Sequence, residues 1–376
     1  MENAWTNSLL YKVISWIRFP LIVGVVMIHC MGSPVDVEAI DFHHLTGADI
    51  YDLLRILCSN VVTRVCVPLF FFISGYLFFT RLNSWSWQVY GEKLKKRVRT
   101  LLVPYLLWIT IAVICILAVK VIKEGWGVVP GFLQEHGYWH LYWDCFQLDV
   151  DRKSWLGMVV RSTTPFNYAL WYLRDLMTMV LLAPAFYVLF RYLQGWGLLL
   201  LAINYVSNIG AVVPELLPTP VLFFGAGAYC QIKGLDVCHT CLRYEGISYV
   251  LTLPLLVLCT RYNSFYTETG DLFFPFFVIS GCVSVLCLSM RMVIRGRLQV
   301  MGRLAMYTFF VYLAHTVMIV PVSLRLLGVT GSQGNWLVMS MAYLVAPLVI
   351  IAVCIGLYEV LKRCCPQVLG WLTGGR

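Results

Sequence analysis

Apolar runs recur along this chain, separated by short polar connections, and most of them are too long and too uniformly apolar to be the inner face of a soluble helix. A bilayer crossing takes about 20 apolar residues. By that measure the pattern predicts ten spans, at about 12–32, 60–80, 100–122, 167–190, 195–212, 217–232, 246–262, 271–290, 303–324 and 335–361. The expected fold is an all-α polytopic membrane protein, a single membrane domain over 1–376 with no appended soluble domain. The first run reads as a span and not as a cleaved leader, because Arg18 and Pro20 interrupt it and no convincing small-residue cleavage site follows.

Composition removes the alternative of a two- or three-domain soluble protein. Of the 376 residues 60% are hydrophobic and 12% charged, where a soluble domain carries roughly a quarter charged residues. The 14 cysteines fall mostly inside apolar runs, as small apolar residues do, and suggest no disulfide framework. The net charge of +9 does not imply a nucleic-acid partner, because the basic residues cluster in particular loops. Arg81, Lys93, Lys95, Lys96, Arg97 and Arg99 lie between spans two and three; Arg291, Arg295, Arg297 and Arg303 lie between spans eight and nine; Lys362, Arg363 and Arg376 follow span ten. The loop after span one is instead acidic, with Asp36, Glu38, Asp41, Asp49 and Asp52 against Arg55. Basic loops thus fall on every second connection, which predicts ten crossings with both termini cytoplasmic. The longest connection, about 123–166, is rich in Trp, Tyr and His, suited to headgroup anchoring and also to stacking on sugar rings.

Ionisable residues inside spans mark candidate chemistry, since a membrane interior penalises them unless they serve something. Arg18 and His29 stand eleven residues apart in span one, about three helical turns, on one face and roughly 16 Å apart. Arg64 precedes the run VPLFFFISGYLF, where Ser74-Gly75 makes a notch in an aromatic stretch that another backbone can approach. In LWYLRDL, Arg174 and Asp175 are adjacent and so are expected to find separate partners, with Arg174 the better candidate for an anionic group. Span nine carries YLAH, with Tyr312 and His315 on one face. Cys238-His-Thr-Cys241 and the pair His136/His140 have ligand-like spacing but no matching second set, so no metal is expected. Cys364-Cys365 are juxtamembrane and are acylation candidates in a eukaryote.

Taken together these segments resemble the integral membrane acyltransferase family 3, whose members O-acylate glycans and other envelope molecules. Arg18 to His29 matches the family's Arg-x10-His motif, residues 67–78 its Phe-Phe-x-x-Ser-Gly signature, and RTLLVPYLLW (99–108), LWYL (170–173) and YLAH (312–315) follow in the expected order. The esterase-like or racemase domains of some members are not seen, and Arg174-Asp175 has no clear family counterpart. The resemblance implies an enzyme of the bacterial inner membrane that uses cytoplasmic acyl-CoA, most simply acetyl-CoA, and a carbohydrate or lipid-linked acceptor. It implies that His29 is catalytic, as a base toward the acceptor hydroxyl or as a covalent acyl carrier. Arg18 and Arg64 are the other catalytic candidates, and Arg174, Ser74, Tyr312 and His315 the substrate-binding ones. Either Arg64 or Arg174 is suited to stabilise an oxyanion or hold an acceptor phosphate. The basic stretch 81–99 is placed to meet the donor's phosphates, or to attract anionic membrane lipids and fix topology. The rival reading is an exporter or flippase of a glycan or lipid-linked saccharide, for which inverted repeats are expected and none is visible.

Overall fold

The computed structural model describes residues 2–80, 85–147, 162–208, 217–263, 268–296, 300–326, 328 and 334–375; Arg81, Trp155, Arg297 and Arg376 lie outside the described residues. Helix α1 (Glu2–Ile28) leads through an irregular loop to α2 (Gly47–Arg55). A wide π-type turn (Ile56–Val61) and a tight 3-10 turn (Val62–Val65) then carry the chain into α3 (Cys66–Phe79). Helix α4 (Trp87–Arg97) continues through a second π-type turn (Val98–Leu102) into α5 (Val103–Glu124). The long connection that follows holds α6 (Val128–His136), α7 (His140–Trp143) and a two-residue antiparallel ladder, β1 (Phe146–Gln147) with β2 (Thr163–Thr164), in which Phe146 faces Thr164. Helices α8 (Trp171–Leu181), α9 (Ala183–Tyr192), α10 (Gln194–Ser207), α11 (Pro218–Ile232), α12 (Val237–Arg243), α13 (Glu245–Arg261) and α14 (Glu268–Ile294) come next. The chain closes with α15 (Val300–Leu304), α16 (Thr308–Ala314), a π-type turn (His315–Ile319), α17 (Val320–Leu326), α18 (Trp336–Cys364) and α19 (Pro366–Leu372).

Among the described residues the fold is all-α apart from that ladder. Five helical stretches among the described residues are long and apolar enough to cross a bilayer: Leu9–Ile28, Gly47–Phe79, Trp87–Glu124, Leu272–Ile294 and Trp336–Cys364. The count rises to eight if three bent pairs are each one span: α8 with α9 (56°), α12 with α13 (64°), and Met301–Val317 with Val320–Leu326 (70°). The predicted segments near 195–212 and 217–232 become α10 and α11, of 14 and 15 residues. At about 1.5 Å per residue both fall short of the roughly 30 Å hydrocarbon core. Their ends have clear causes: Asn208 closes α10 in the left-handed conformation and Pro218 opens α11.

Two predicted loops are helical. Thr46 and Asp49 form a reciprocal capping box that starts α2, and the Ser86 side chain caps α4. The Gln-Glu-Lys-Leu-Lys-Lys-Arg content of 88–97 then favours helix right up to the apolar run.

Helix α1 is central, touching α3, α14, α15, α16 and α18, and its Val13, Ile22 and Val26 are fully buried. Lipid provides no hydrophobic drive between helices, so close packing and polar links hold such a bundle. The tightest link joins α3 to α11. A Cβ at Gly75 would land on the carbonyl oxygen of Phe224, and one at Gly227 on that of Phe72, so each glycine admits the other helix's backbone. The notch expected at Ser74-Gly75 is therefore a helix crossing. Polar links between helices include Ser59 Oγ to Tyr343 OH (2.7 Å), Thr252 to Ser284 (2.9 Å) and Tyr307 OH to Glu359 (2.8 Å).

Candidate active site

Arg18, Ile22 and Val25 along α1, with His29 in the turn that directly follows it, form one wall of a cavity of about 1260 Å³. Their shared face is what the eleven-residue separation demands. Near Arg18 the cavity is lined by Lys96, Arg97 and Thr100, and toward His29 by Arg64 and Tyr168. One continuous space thus joins a basic mouth to a pocket holding an imidazole and a guanidinium.

The His29 end is positioned by the chain that follows α1. The Arg55 guanidinium donates from Nε to the Met31 carbonyl (2.9 Å) and from Nη2 to that of Ser33, while Nη1 pairs with Asp52 (2.7 Å). Ser59 Oγ donates to the Met27 carbonyl (2.7 Å), fixing the last turn of α1. The Asn263 side chain donates to the Val35 carbonyl (3.1 Å) and accepts from Asn60 (3.0 Å), whose own oxygen accepts from Arg64 (3.2 Å). Arg64 lies in the 3-10 turn between the π-type turn and α3, an irregular stretch of the kind often found at working sites in helices.

The opposite wall comes from the turn before α8. Tyr312 OH donates to the Ala169 carbonyl (2.8 Å) and Thr316 Oγ1 to Asn167 Oδ1 (2.7 Å), so two residues near YLAH clamp the segment 167–169. The clamp holds the Tyr168 ring 5.1 Å from that of His29, edge to face. Ser74 Oγ lies 3.2 Å from Tyr172 OH, whose ring meets Tyr312 at 5.6 Å. Ser74 and Tyr312 both line the cavity; His315 does not, but its ring lies 5.2 Å from that of His29.

Arg174 is placed differently. It does not line the cavity and is fully buried, with Nε on Asp175 Oδ1 (2.9 Å) and Nη1 on the Trp143 carbonyl (2.7 Å) and Thr163 Oγ1 (3.0 Å). The expectation of separate partners for Arg174 and Asp175 is thereby corrected. Adjacent helix positions diverge at Cβ, but a long arginine stem folds back to its neighbour where burial leaves no water to solvate either charge.

Comparison with known proteins gives these motifs a family. The family described as "Acyltransferase domain" matches residues 11–359. The chain belongs to it. This acyltransferase is also similar to the succinoglycan biosynthesis protein ExoH of Rhizobium meliloti (strain 1021), 25% identical over 380 residues that cover 96% of this chain and 92% of ExoH. No solved structure matches it. The family decides for the enzyme over the exporter reading.

The acyltransferase cavity contains residues that sequence reasoning passed over. Tyr168 and Tyr172 adjoin or lie within LWYL; Arg55, which does not line the cavity, was visible as the one base in an acidic loop. Gly374 and Gly375 left no such signal. They line the basic mouth because the end of α19 folds back on the turn before α5, where a Cβ on Gly374 would stand 2.7 Å from Thr100 Cα and 2.9 Å from the Arg99 carbonyl oxygen. Trp108 Nε1 secures that segment by donating to the Leu372 carbonyl (3.1 Å). Cys238 and Cys241 lie in α12, and among the described residues no group of three His, Cys, Asp or Glu side chains is placed to hold a metal ion.

Proposed function

We propose that this acyltransferase moves an acyl group, most simply acetyl, from cytoplasmic acyl-CoA to a hydroxyl of a polysaccharide or its lipid-linked precursor. The observation that carries the reading is the single cavity with Arg18, Lys96 and Arg97 toward one end and His29 with Arg64 toward the other. Permanent cations suit the phosphates of a nucleotide-bearing donor. The slender pantetheine arm then extends along the α1 wall, over the roughly 16 Å from Arg18, to bring the thioester to His29. The similarity to a succinoglycan biosynthesis protein supports a carbohydrate acceptor.

In the direct route the acceptor hydroxyl oxygen attacks the thioester carbon while His29 takes its proton. The C–O bond forms, the C–S bond breaks, and the departing sulfur takes the proton from His29. In the relay route an imidazole nitrogen attacks the thioester carbon, the C–S bond breaks and the thiol leaves with the imidazole proton; the acceptor oxygen then takes the acyl group as the C–N bond breaks, and its proton returns to the imidazole. Arg64 faces the developing oxyanion, and Ser74, Tyr172 and Tyr312 present hydroxyls or rings to the substrate. Arg174 acts on the acceptor side by holding the end of α7 at Trp143 and strand β2 at Thr163 in place. The basic mouth is cytoplasmic, the His29 end extracytoplasmic and both termini inside, in a bacterial inner membrane; the alternation of basic loops supports that topology.

The test is transfer of labelled acetyl from acetyl-CoA to the acceptor by purified protein in lipid. General-base catalysis contributes about 10²–10⁴-fold, so His29→Ala should lose at least that much while donor binding persists. His29→Ala retaining more than about a tenth of wild-type turnover removes His29 from the mechanism.

A further inference from the structure

His315 is buried beside the cavity without lining it, and its two ring nitrogens are in different situations. Nδ1 lies 3.0 Å from the Val311 carbonyl oxygen and 2.8 Å from that of Tyr312. Carbonyl oxygens only accept, so Nδ1 carries the proton and donates to both. The neutral ring then holds its lone pair on Nε2. That atom is buried and has no hydrogen-bond partner among the described residues. A buried acceptor left without a donor is unfavourable and calls for a reason.

The neighbouring ring with a donor to offer is His29, at 5.2 Å between centroids and tilted by 39°. The π-type turn that starts at His315 displaces the chain there from regular helix. Such turns recur at functional positions. We propose that His315 is the positioning residue for His29: a small rotation of the His29 ring brings one of its N–H groups onto His315 Nε2, which turns the lone pair of the other nitrogen toward the cavity.

The inference rests on His29 being the base of the proposed transfer and gives that base its orientation. Tautomer choice in an imidazole is set by the bond its other nitrogen makes. Here the choice propagates from backbone to site: carbonyls of α16 fix Nδ1–H of His315, which leaves Nε2 as acceptor, which fixes the N–H of His29. During transfer the acceptor's proton goes to the free His29 nitrogen, and the imidazolium keeps its second N–H on His315. When the sulfur departs with the proton, His29 returns to the same tautomer. His315 neither gains nor loses a proton, and its carbonyl-bound Nδ1–H could not be relayed without breaking two backbone contacts. The arrangement follows the logic of a base oriented by a third group, with a neutral imidazole in place of a carboxylate. A carboxylate in this enclosed spot would add an ionised group with no solvent to compensate it.

The experiment compares wild type, His315→Ala and His315→Gln in lipid. The readouts are acetyl transfer at saturating donor and acceptor, acetyl-CoA affinity, and the ¹⁵N chemical shifts of His29, which report which nitrogen carries its proton. The wild type should show one His29 tautomer and His315→Ala a mixture. Turnover of His315→Ala should fall by about 10²-fold or more, the scale of losing a properly oriented base, with acetyl-CoA affinity unchanged. His315→Gln, whose amide oxygen accepts the same N–H, should recover part of the loss and also show that the altered site still folds. A single His29 tautomer in both wild type and His315→Ala, or turnover of His315→Ala within about threefold of wild type, overturns the proposal. If His29→Ala is inactive while those results hold, only the role of His315 falls. If His29→Ala is active, the base reading fails whatever tautomer His29 shows.

Discussion

Arg55 offers a sharp test of how the site is held, because it does not itself line the cavity and still fixes the chain that follows His29. Its guanidinium donates to the Met31 and Ser33 carbonyls and pairs with Asp52. The substitution Arg55→Met keeps most of the stem's volume and removes all three links. Hydrogen bonds from a charged donor are worth about 1.5–3 kcal/mol each. Ser33 is exposed, and its carbonyl regains water, so that bond counts at the low end. The Asp52 side chain is 33% exposed, which discounts the ion pair to at most about 1 kcal/mol. Met31 is buried, so its carbonyl is left poorly solvated and carries most of the loss. The sum is about 3–5.5 kcal/mol, enough to loosen the loop and too little to dissolve the bundle.

The functional effect should exceed the structural one. His29 stands two residues before Met31, and displacement of a reacting group by about 1 Å can lower a rate about 10²-fold. Arg55→Met should therefore lower turnover by about 10–10²-fold while acetyl-CoA affinity, set at the other end of the cavity, stays within about twofold. The assays are thermal unfolding of the purified protein in detergent and acetyl transfer under saturating donor. Wild-type turnover together with the expected loss of stability would show that the loop does not orient His29. Loss of turnover and of donor affinity in equal measure would show a general collapse of the cavity.

Three further outcomes follow from particular contacts. Arg174→Ala should destabilise the protein by about 3–5 kcal/mol, because it leaves a buried carboxylate, and Arg174→Met with Asp175→Leu should regain much of that loss in the same unfolding assay. Gly374→Val, at φ +67° and against the Arg99 carbonyl and Thr100 Cα, should push α19 off the basic mouth; its signature is a several-fold higher KM for acetyl-CoA at little-changed kcat, about 1 kcal/mol of donor binding. Gly227→Leu should separate α11 from α3 at a cost above the 1–3 kcal/mol of ordinary overpacking, read as lost thermal stability and poor membrane yield, whereas a change at exposed Gly246 should be silent.

Much of this protein was legible along the chain, because a bilayer turns local composition into architecture. Uniform apolar runs had to become helices, since no other open structure satisfies its backbone in lipid. The eleven-residue separation of Arg18 and His29 put both on one face by helix geometry alone, and the resemblance over the motif segments pointed to the family that the comparison established. Local capping signals are equally readable at Thr46 and Ser86, in connections between the apolar runs.

What only the tertiary structure decided are the meetings between distant segments. His315 stands beside His29 across 286 positions of chain, Asn263 steadies Arg64 through Asn60, and Gly374 rests on Thr100. None of these leaves a periodicity, because each depends on the order in which helices pack around α1. The partner of Arg174 was the hardest to anticipate from spacing. Helix periodicity fixes the direction of Cβ, but the end of a long charged side chain goes wherever burial leaves it a counter-charge, and here that was the adjacent Asp175.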